Sequence, residues 1–190
     1  VKIDDNAFST SGLTIYGAAD SKAQSYAKGK DYTFVPLQVI GTVSGDGGDA
    51  PVSISITGAD DEMTEIKSAD GNYQLEKLDP GTYTIALTKE GCVPYRSTFT
   101  VDESGKANTV DVVLVARGNI NGAAVNGEAV EITDVACLYE MLTTGECQSK
   151  IADPEYLEAV ADVNSDGTVD VYDLQRLYET VSRLRDAAED

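Results

Sequence analysis

Between residues 37 and 116, apolar and polar residues alternate in short runs that are separated by turn-forming clusters. Such runs are LQVIGTV (37–43), VSISITG (52–58), GTYTIALT (81–88) and NTVDVVLV (108–115). The clusters between them, SGDGGDAP and DPG among others, are rich in Asp, Gly and Pro. Alternation with a period of two predicts β-strands, and many short strands with frequent turns predict an all-β sandwich.

After residue 117 the apolar residues follow a helical period instead. The segments ITDVACLYEML (132–142), DPEYLEAV (153–160) and VYDLQRLYETV (171–181) predict three helices. In the middle segment, Asp153 suits the N-cap and Pro154 suits the first helical position. The first and third segments align at a constant offset of 39 residues, which indicates an internal repeat. We therefore predict an all-α region over residues 117–190.

The first 37 residues show a third pattern. LTIYG and YTFVPL indicate two strands, and the segment between them indicates a helix with Ala23, Tyr26 and Ala27 on one face. This predicts a short βαβ-like stub at the N-terminus. The predicted fold class is thus multidomain, with modules at residues 1–37, 38–116 and 117–190.

Composition narrows the function classes. The 190 residues carry a formal charge of −19 and include no His and no Trp. This acidic balance disfavours nucleic acid and membranes as partners. The lack of His excludes Ser–His and Cys–His nucleophiles and the usual zinc sites, so we expect no enzyme. Because no apolar run approaches the about 18 residues that span a bilayer and no signal peptide is visible, we expect a segment of a longer secreted protein.

The stretch DVNSDGTVDVYD, residues 162–173, has the spacing of a calcium-binding loop. Oxygen-bearing residues stand at loop positions 1, 3, 5, 9 and 12, Gly167 stands at position 6, where the loop turns sharply, and position 7 ligates through its carbonyl. The predicted ligands are Asp162, Asn164, Asp166, Thr168, Asp170 and Asp173. Ca²⁺ fits better than Mg²⁺, which requires a stricter octahedron. The alternative is a solvated acidic turn without metal.

The repeat predicts a second, weaker cation site upstream. Its predicted ligands are Asn119, Asn121, Asn126 and Asp134. This first loop is four residues longer than the second and carries fewer charges, so we expect a lower affinity for Ca²⁺.

Two calcium loops that are each followed by a helix, with Asp at position 12, resemble a dockerin. The resemblance implies an EF-hand-like fold, a cohesin module of a scaffold protein as the partner, and an extracellular, cellulosome-associated location. It also implies a docking face at loop positions 10 and 11 and at positions 17 and 18. The matching residues are Ile132, Thr133, Tyr139 and Glu140 in the first repeat, and Val171, Tyr172, Tyr178 and Glu179 in the second.

The upstream modules resemble two further families. The motif SADGNYQLEKLDPGTYTI, residues 68–85, resembles the carboxypeptidase regulatory-like β-sandwich, which implies a transthyretin-like topology and a spacer or binding role without peptidase chemistry. Because Ala86-Leu87 follow where a related sandwich has a Glu, we expect no isopeptide bond. Residues 13–37 resemble the closing repeat of bacterial leucine-rich-repeat surface proteins. The alternative is a plain decoration of the sandwich.

Other functions stay open at this point. The chain could be a carbohydrate-binding or adhesive β-sandwich that the dockerin anchors, or an EF-hand-like calcium sensor, although two Met are few for a sensor groove. Tyr139 and Tyr178 could be core residues rather than partner contacts. Cys137 and Cys147 could form a disulfide or remain free thiols.

Overall fold

The computed structural model describes residue 8 and residues 11–48, 50–58, 60–68, 70–102, 108–123 and 129–188. Its strands are β1 (Thr14–Gly17), β2 (Thr33–Pro36), β3 (Gln38–Gly45), β4 (Val52–Thr57), β5 (Met63–Ser68), β6 (Asn72–Glu76), β7 (Gly81–Thr88), β8 (Tyr95–Val101), β9 (Asn108–Thr109) and β10 (Val112–Leu114). Its helices are α1 (Lys22–Gly29), α2 (Ile132–Thr144), α3 (Pro154–Ala161) and α4 (Val171–Ala188). Within these ranges, every helix is too short or too polar to cross a membrane.

The N-terminal segment consists of a strand, a helix and a second strand. β1 and β2 pair in parallel, with Thr14 opposite Thr33 and Gly17 opposite Pro36. Ser21 caps α1 by accepting a hydrogen bond from the backbone N–H of Gln24. Ala27 on this helix is fully buried, as the helical spacing predicts.

Two four-stranded sheets form the β-sandwich. In one sheet β3 pairs with β10, β6 and β9, and β6 lies antiparallel to β3. The other sheet has the order β5-β4-β7-β8. In β4 every second residue, Val52, Ile54 and Ile56, is buried, and Ile85 and Leu87 repeat this pattern in β7. The alternation seen in the sequence therefore separates a core face from a solvent face.

The chain divides into two compact units. One unit comprises the chain up to Val43 together with Ser53–Ala86 and Arg96–Val112. The other comprises Ser44–Val52, Leu87–Tyr95 and the chain from Val113 onward. The module borders predicted at residues 38 and 117 come from sequence resemblance, whereas these two units are defined by compactness. The borders therefore stay predictions.

The expected fold class, an all-β sandwich followed by an all-α EF-hand-like dockerin, is wrong. The described residues form three sheets with four helices, and the helices after residue 117 share their compact unit with strand segments. The buried Tyr156 of α3 shows the physical reason. Its hydroxyl donates to the carbonyl of Val93 (2.9 Å) and accepts from the N–H of Val115 (3.1 Å). Helix α3 is thus tied to the segments that flank β8 and β10, while α2 and α4 pack against each other.

Candidate docking groove and cation-binding loops

The second predicted cation loop is folded around its own carboxylates. Asp162 accepts hydrogen bonds from the backbone N–H groups of Asp166 and Gly167, both at 3.1 Å. Gly167 has φ of +88°, a left-handed conformation that Gly adopts without strain, and it turns the chain at loop position 6. Asp173 is fully buried and accepts from the N–H groups of Asn164 (3.0 Å) and Asp170 (2.9 Å). The first and last predicted ligands therefore both point into the loop.

The first predicted loop repeats this arrangement. Asp134 is fully buried and accepts from the N–H groups of Asn121 (2.9 Å) and Glu131 (2.8 Å). These donors stand at loop positions 3 and 9, the positions that Asn164 and Asp170 occupy in the second loop. The inserted residues therefore lie between Asn121 and Glu131. The predicted ligand Asn126 lies outside the described residues.

Asp134 is a desolvated carboxylate. Burial raises the pKa of its carboxyl group, while the N–H donors of Asn121, Glu131 and Ile120 act in the opposite direction. An ionised carboxylate has about four acceptor sites, so that these three N–H donors still leave capacity for a cation. Nevertheless, the described part of the chain contains no group of three or more His, Cys, Asp or Glu side chains that could hold a metal ion by themselves. A cation would therefore rely on amide and carbonyl oxygens as well as carboxylates.

Asn119, at position 1 of the first loop, has an unusual environment. Its side chain is 1% exposed, and its Nδ2 donates to Oδ2 of Asp46 at 2.8 Å. Its Oδ1 is buried and has no hydrogen-bond partner within the described ranges. Because a carboxylate only accepts hydrogen bonds, the contact with Asp46 fixes which end of the amide faces away from it.

An apolar groove of about 520 Å³ lies between α2 and α4. Residues of the two helices that are 39 positions apart form its walls in pairs. The pairs are Ile132 with Val171, Val135 with Leu174, Ala136 with Gln175, and Tyr139 with Tyr178. The internal repeat of the sequence is thus expressed as a groove with two equivalent sides.

Four of the eight predicted partner-binding residues line this groove, namely Ile132, Tyr139, Val171 and Tyr178. The two tyrosines are 58% and 57% exposed, so core packing does not account for them. Tyr172 is 65% exposed, and Thr133, Glu140 and Glu179 are exposed as well, but these four do not line the groove. Four further residues that line the groove are absent from the predicted docking face. They are Val135, Ala136, Leu174 and Gln175, which the same 39-residue offset could have revealed.

The cysteine alternatives are resolved by geometry. Cys137 of α2 and Cys147, which follows the helix, form a disulfide, and Cys92 is free. Gly145 ends the helix between them in a left-handed conformation, with φ of +83°. The disulfide therefore ties the end of α2 to the segment that leads to α3.

No protein-family profile matches this sequence, and no curated protein shows significant similarity to it. Among solved structures, it is similar to two interface mutants of a type II cohesin–X-dockerin complex from Acetivibrio cellulolyticus. Both matches have 14% identity and cover 75% of this chain and 94% of the other, with TM-scores of 0.33 for the C-terminal and 0.32 for the N-terminal interface mutant. A proposed carbohydrate binding protein from Bacteroides uniformis matches at 14% identity over 43% of each chain, with a TM-score of 0.33.

Proposed function

We propose that this chain is a non-catalytic, calcium-dependent docking module that attaches its parent secreted protein to a cohesin module of an extracellular scaffold. The observation that carries the proposal is the apolar groove between α2 and α4, whose two sides are built from equivalent residues of the repeat. Contiguous apolar surface that stays exposed is typical of protein–protein interaction sites. The sequence resemblance to dockerins supplies the class of partner.

Three tyrosines provide the anchors of the proposed interface. Tyr139, Tyr172 and Tyr178 are each more than half exposed and lie on α2 or α4. Tyr is enriched among the residues that dominate binding energy at protein interfaces, because it combines a large apolar ring with a hydroxyl. Burial of these rings against a cohesin would therefore supply much of the affinity.

The negative charges next to the groove indicate which partner surface would be complementary. Glu140 and Glu179 are exposed and directly follow the groove tyrosines, and the whole chain carries a formal charge of −19. A partner surface with apolar residues flanked by Lys or Arg fits this pattern. Since exposed charges are screened by salt, association with such a partner should slow as ionic strength rises.

Calcium is proposed to set the geometry of the groove. Asp134 is the third residue of α2 and Asp173 the third residue of α4, while Ile132 and Val171 are the first residues of the same helices. A cation bound at each of these two carboxylates would fix the first turn of its helix, and these turns carry part of the groove walls. Docking should therefore be lost when Ca²⁺ is chelated.

The second repeat is proposed to lead the interaction. Tyr172 of the second repeat corresponds to the much smaller Thr133 of the first, and the first loop contains an insertion. Although the groove has two equivalent sides, this difference favours one orientation of the partner over the orientation related by a half-turn.

The test is a calorimetric titration of the full chain with a panel of scaffold cohesins, in Ca²⁺ and in a chelator. We expect binding only in Ca²⁺. The double variant Tyr172→Ala/Tyr178→Ala should lose at least about 2 kcal/mol of binding free energy, the usual threshold for a hot spot. The equivalent double variant Thr133→Ala/Tyr139→Ala is the matched control and should lose much less.

Two results would contradict parts of the proposal. If no cohesin of the panel binds the wild-type chain in Ca²⁺, the docking function is refuted. If both double variants lose equally little and only the quadruple variant fails to bind, docking uses both orientations. Binding that persists in the chelator would remove the role of calcium.

A depression on the β-sandwich supports a second candidate function, carbohydrate binding. It measures about 550 Å³, and its lining includes the hydroxyl, amide and carboxylate side chains of Thr42, Asn72, Gln74, Thr109 and Asp111. Such groups can hydrogen-bond a sugar, although the chain has no Trp as a stacking platform. A glycan array with the full chain tests this function, and binding that Gln74→Ala abolishes would establish it.

A further inference from the structure

Asp46 connects the segment after β3 with the first cation loop. Its Oδ2 accepts hydrogen bonds from the backbone N–H of Ala116 at 2.7 Å and from Nδ2 of Asn119 at 2.8 Å. Its own N–H donates to the carbonyl of Leu114 at 2.8 Å. Two hydrogen bonds to the carboxylate and one from the backbone therefore hold Asp46 at the start of the loop.

Gly45 makes the close approach of Asp46 to the first cation loop sterically feasible. A Cβ atom at this position would lie 2.0 Å from the carbonyl oxygen of Leu114, and Gly45 has φ of +111°. Both the close contact and the conformation exclude a larger residue without a backbone shift. The local chain is thus built to bring the residue after Gly45 against the first loop.

Asn119 has a buried acceptor, Oδ1, without a hydrogen-bond partner in the described residues. An acceptor that is buried without a partner costs about 1–3 kcal/mol, and an orphan such as its Oδ1 therefore requires an explanation. Asp46 holds the amide so that Nδ2 faces the carboxylate and Oδ1 faces away from it. Asn119 is also position 1 of the loop, a position that ligates Ca²⁺ through a side-chain oxygen. A cation at this place would satisfy the orphan oxygen.

We propose that Asp46 is a positioning residue for the first cation site, which orients Asn119 so that Oδ1 faces the cation. This inference rests on the proposed calcium function and adds a residue from outside the repeat to it. Groups that orient metal ligands typically change metal affinity by about 10–100-fold when they are removed. The affinity of the first loop for Ca²⁺ therefore depends on a residue that lies 73 positions earlier in the chain.

The second loop provides an internal comparison. Asp162 at its position 1 is oriented by the N–H groups of Asp166 and Gly167, which belong to the same loop. Arg117 donates through Nη1 to the backbone carbonyl of Asp162 and does not hold its carboxylate. Loss of Asp46 should therefore affect the first site and leave the second unchanged.

The experiment is calorimetric titration of the full chain with CaCl₂. We expect two binding events in the wild type, and Asn119→Ala identifies the event that belongs to the first loop. Asp46→Ala should weaken that event by about 10–100-fold. The double variant Asp46→Ala/Asn119→Ala should be no weaker than Asn119→Ala, because Asp46 acts through Asn119.

Two control variants separate positioning from loss of charge and from misfolding. Asp70→Ala removes the same charge and the same number of side-chain hydrogen bonds, since Oδ1 of Asp70 accepts from the hydroxyl of Ser68 at 3.2 Å and from the N–H of Asn72 at 3.1 Å. It should leave both events unchanged. Asp46→Asn keeps one acceptor and should lie between the wild type and Asp46→Ala. Circular dichroism of each variant verifies the fold, and if Asp46→Ala is unfolded, Asp46→Asn decides.

The outcomes distinguish this inference from the proposed function. A wild-type chain that binds no Ca²⁺ would refute the calcium function, and the inference would fall with it. Two wild-type events that Asp46→Ala leaves unchanged would refute the inference alone. Equal weakening of both events, or additive effects in the double variant, would also overturn it.

Discussion

Tyr156→Phe is the substitution that best tests how the helical region is joined to the β-structure. The hydroxyl of Tyr156 bridges the carbonyl of Val93 and the N–H of Val115, and the side chain is 6% exposed. The substitution removes this hydroxyl but keeps the ring, which packs edge-on against Tyr95 at a centroid distance of 5.1 Å. Any loss of stability therefore measures the hydrogen bonds rather than a cavity.

The magnitude follows from the groups that lose their bond to the hydroxyl. Phe can replace neither the donor to Val93 nor the acceptor for Val115. Each buried backbone group that loses its partner costs about 1–3 kcal/mol, and partial relaxation brings the expected sum to about 2–4 kcal/mol. Because a domain is stable by only about 5–15 kcal/mol, this loss should be plain in a urea titration followed by circular dichroism.

The pH dependence provides a second, independent measurement. Burial raises the pKa of Tyr156 to about 12, whereas an unfolded Tyr titrates near 10. The folded state therefore keeps its proton longer, and the contribution of the hydroxyl is fully present below about pH 10. It disappears as the pH rises towards about 12, so that the stability difference between wild type and Tyr156→Phe should shrink over this range.

Tyr139→Phe is the matched control, since the hydroxyl of this exposed residue lies outside the core. It should change the free energy of unfolding by no more than about 0.5 kcal/mol. If Tyr156→Phe is as stable as the wild type, or if its difference from the wild type does not vary between about pH 10 and about pH 12, then the hydroxyl does not stabilise the contact of α3 with Val93 and Val115.

Three further predictions concern the loops. Chelation of Ca²⁺ should reduce the helical signal in circular dichroism, because the carboxylates of the second loop repel each other without a cation; an unchanged spectrum would contradict this. Asp173→Ala should weaken Ca²⁺ binding more than Asp134→Ala, since the second loop has more acidic ligands at the standard spacing; calorimetry that gives equal losses would reverse the ranking. Gly167→Ala should destabilise the Ca²⁺-loaded chain by about 1 kcal/mol in urea unfolding, because its φ is +88°. Gly29→Ala should not, because Gly29 has no positive φ and no neighbour within 4 Å. Equal effects of the two variants would contradict the role of Gly167 in the turn.

The pattern of apolar and polar residues was sufficient to predict the helices of the repeat region and the buried face of a strand. The segments predicted as helices at 132–142, 153–160 and 171–181 correspond to α2, α3 and α4, although α4 continues to Ala188. The alternation in GTYTIALT correctly predicted which side of β7 is buried. The 39-residue offset also identified two of the four residue pairs that line the groove, Ile132 with Val171 and Tyr139 with Tyr178. Periods of 2 and 3.6 residues reveal such features because they depend only on neighbours along the chain.

The joining of the helices to the strands was decided by the tertiary structure. In the sequence, Asp46 and Gly45 belong to a turn cluster, and Tyr156 belongs to an amphipathic helix. Their partners lie far away along the chain: 73 positions separate Asp46 from Asn119, and 63 separate Val93 from Tyr156. Periodicity shows which face of an element is apolar but not which element covers it. For this reason the sequence predicted the helices and the repeat, whereas the tertiary structure decided that α3 is tied to Val93 and Val115 and that Asp46 contacts the first loop.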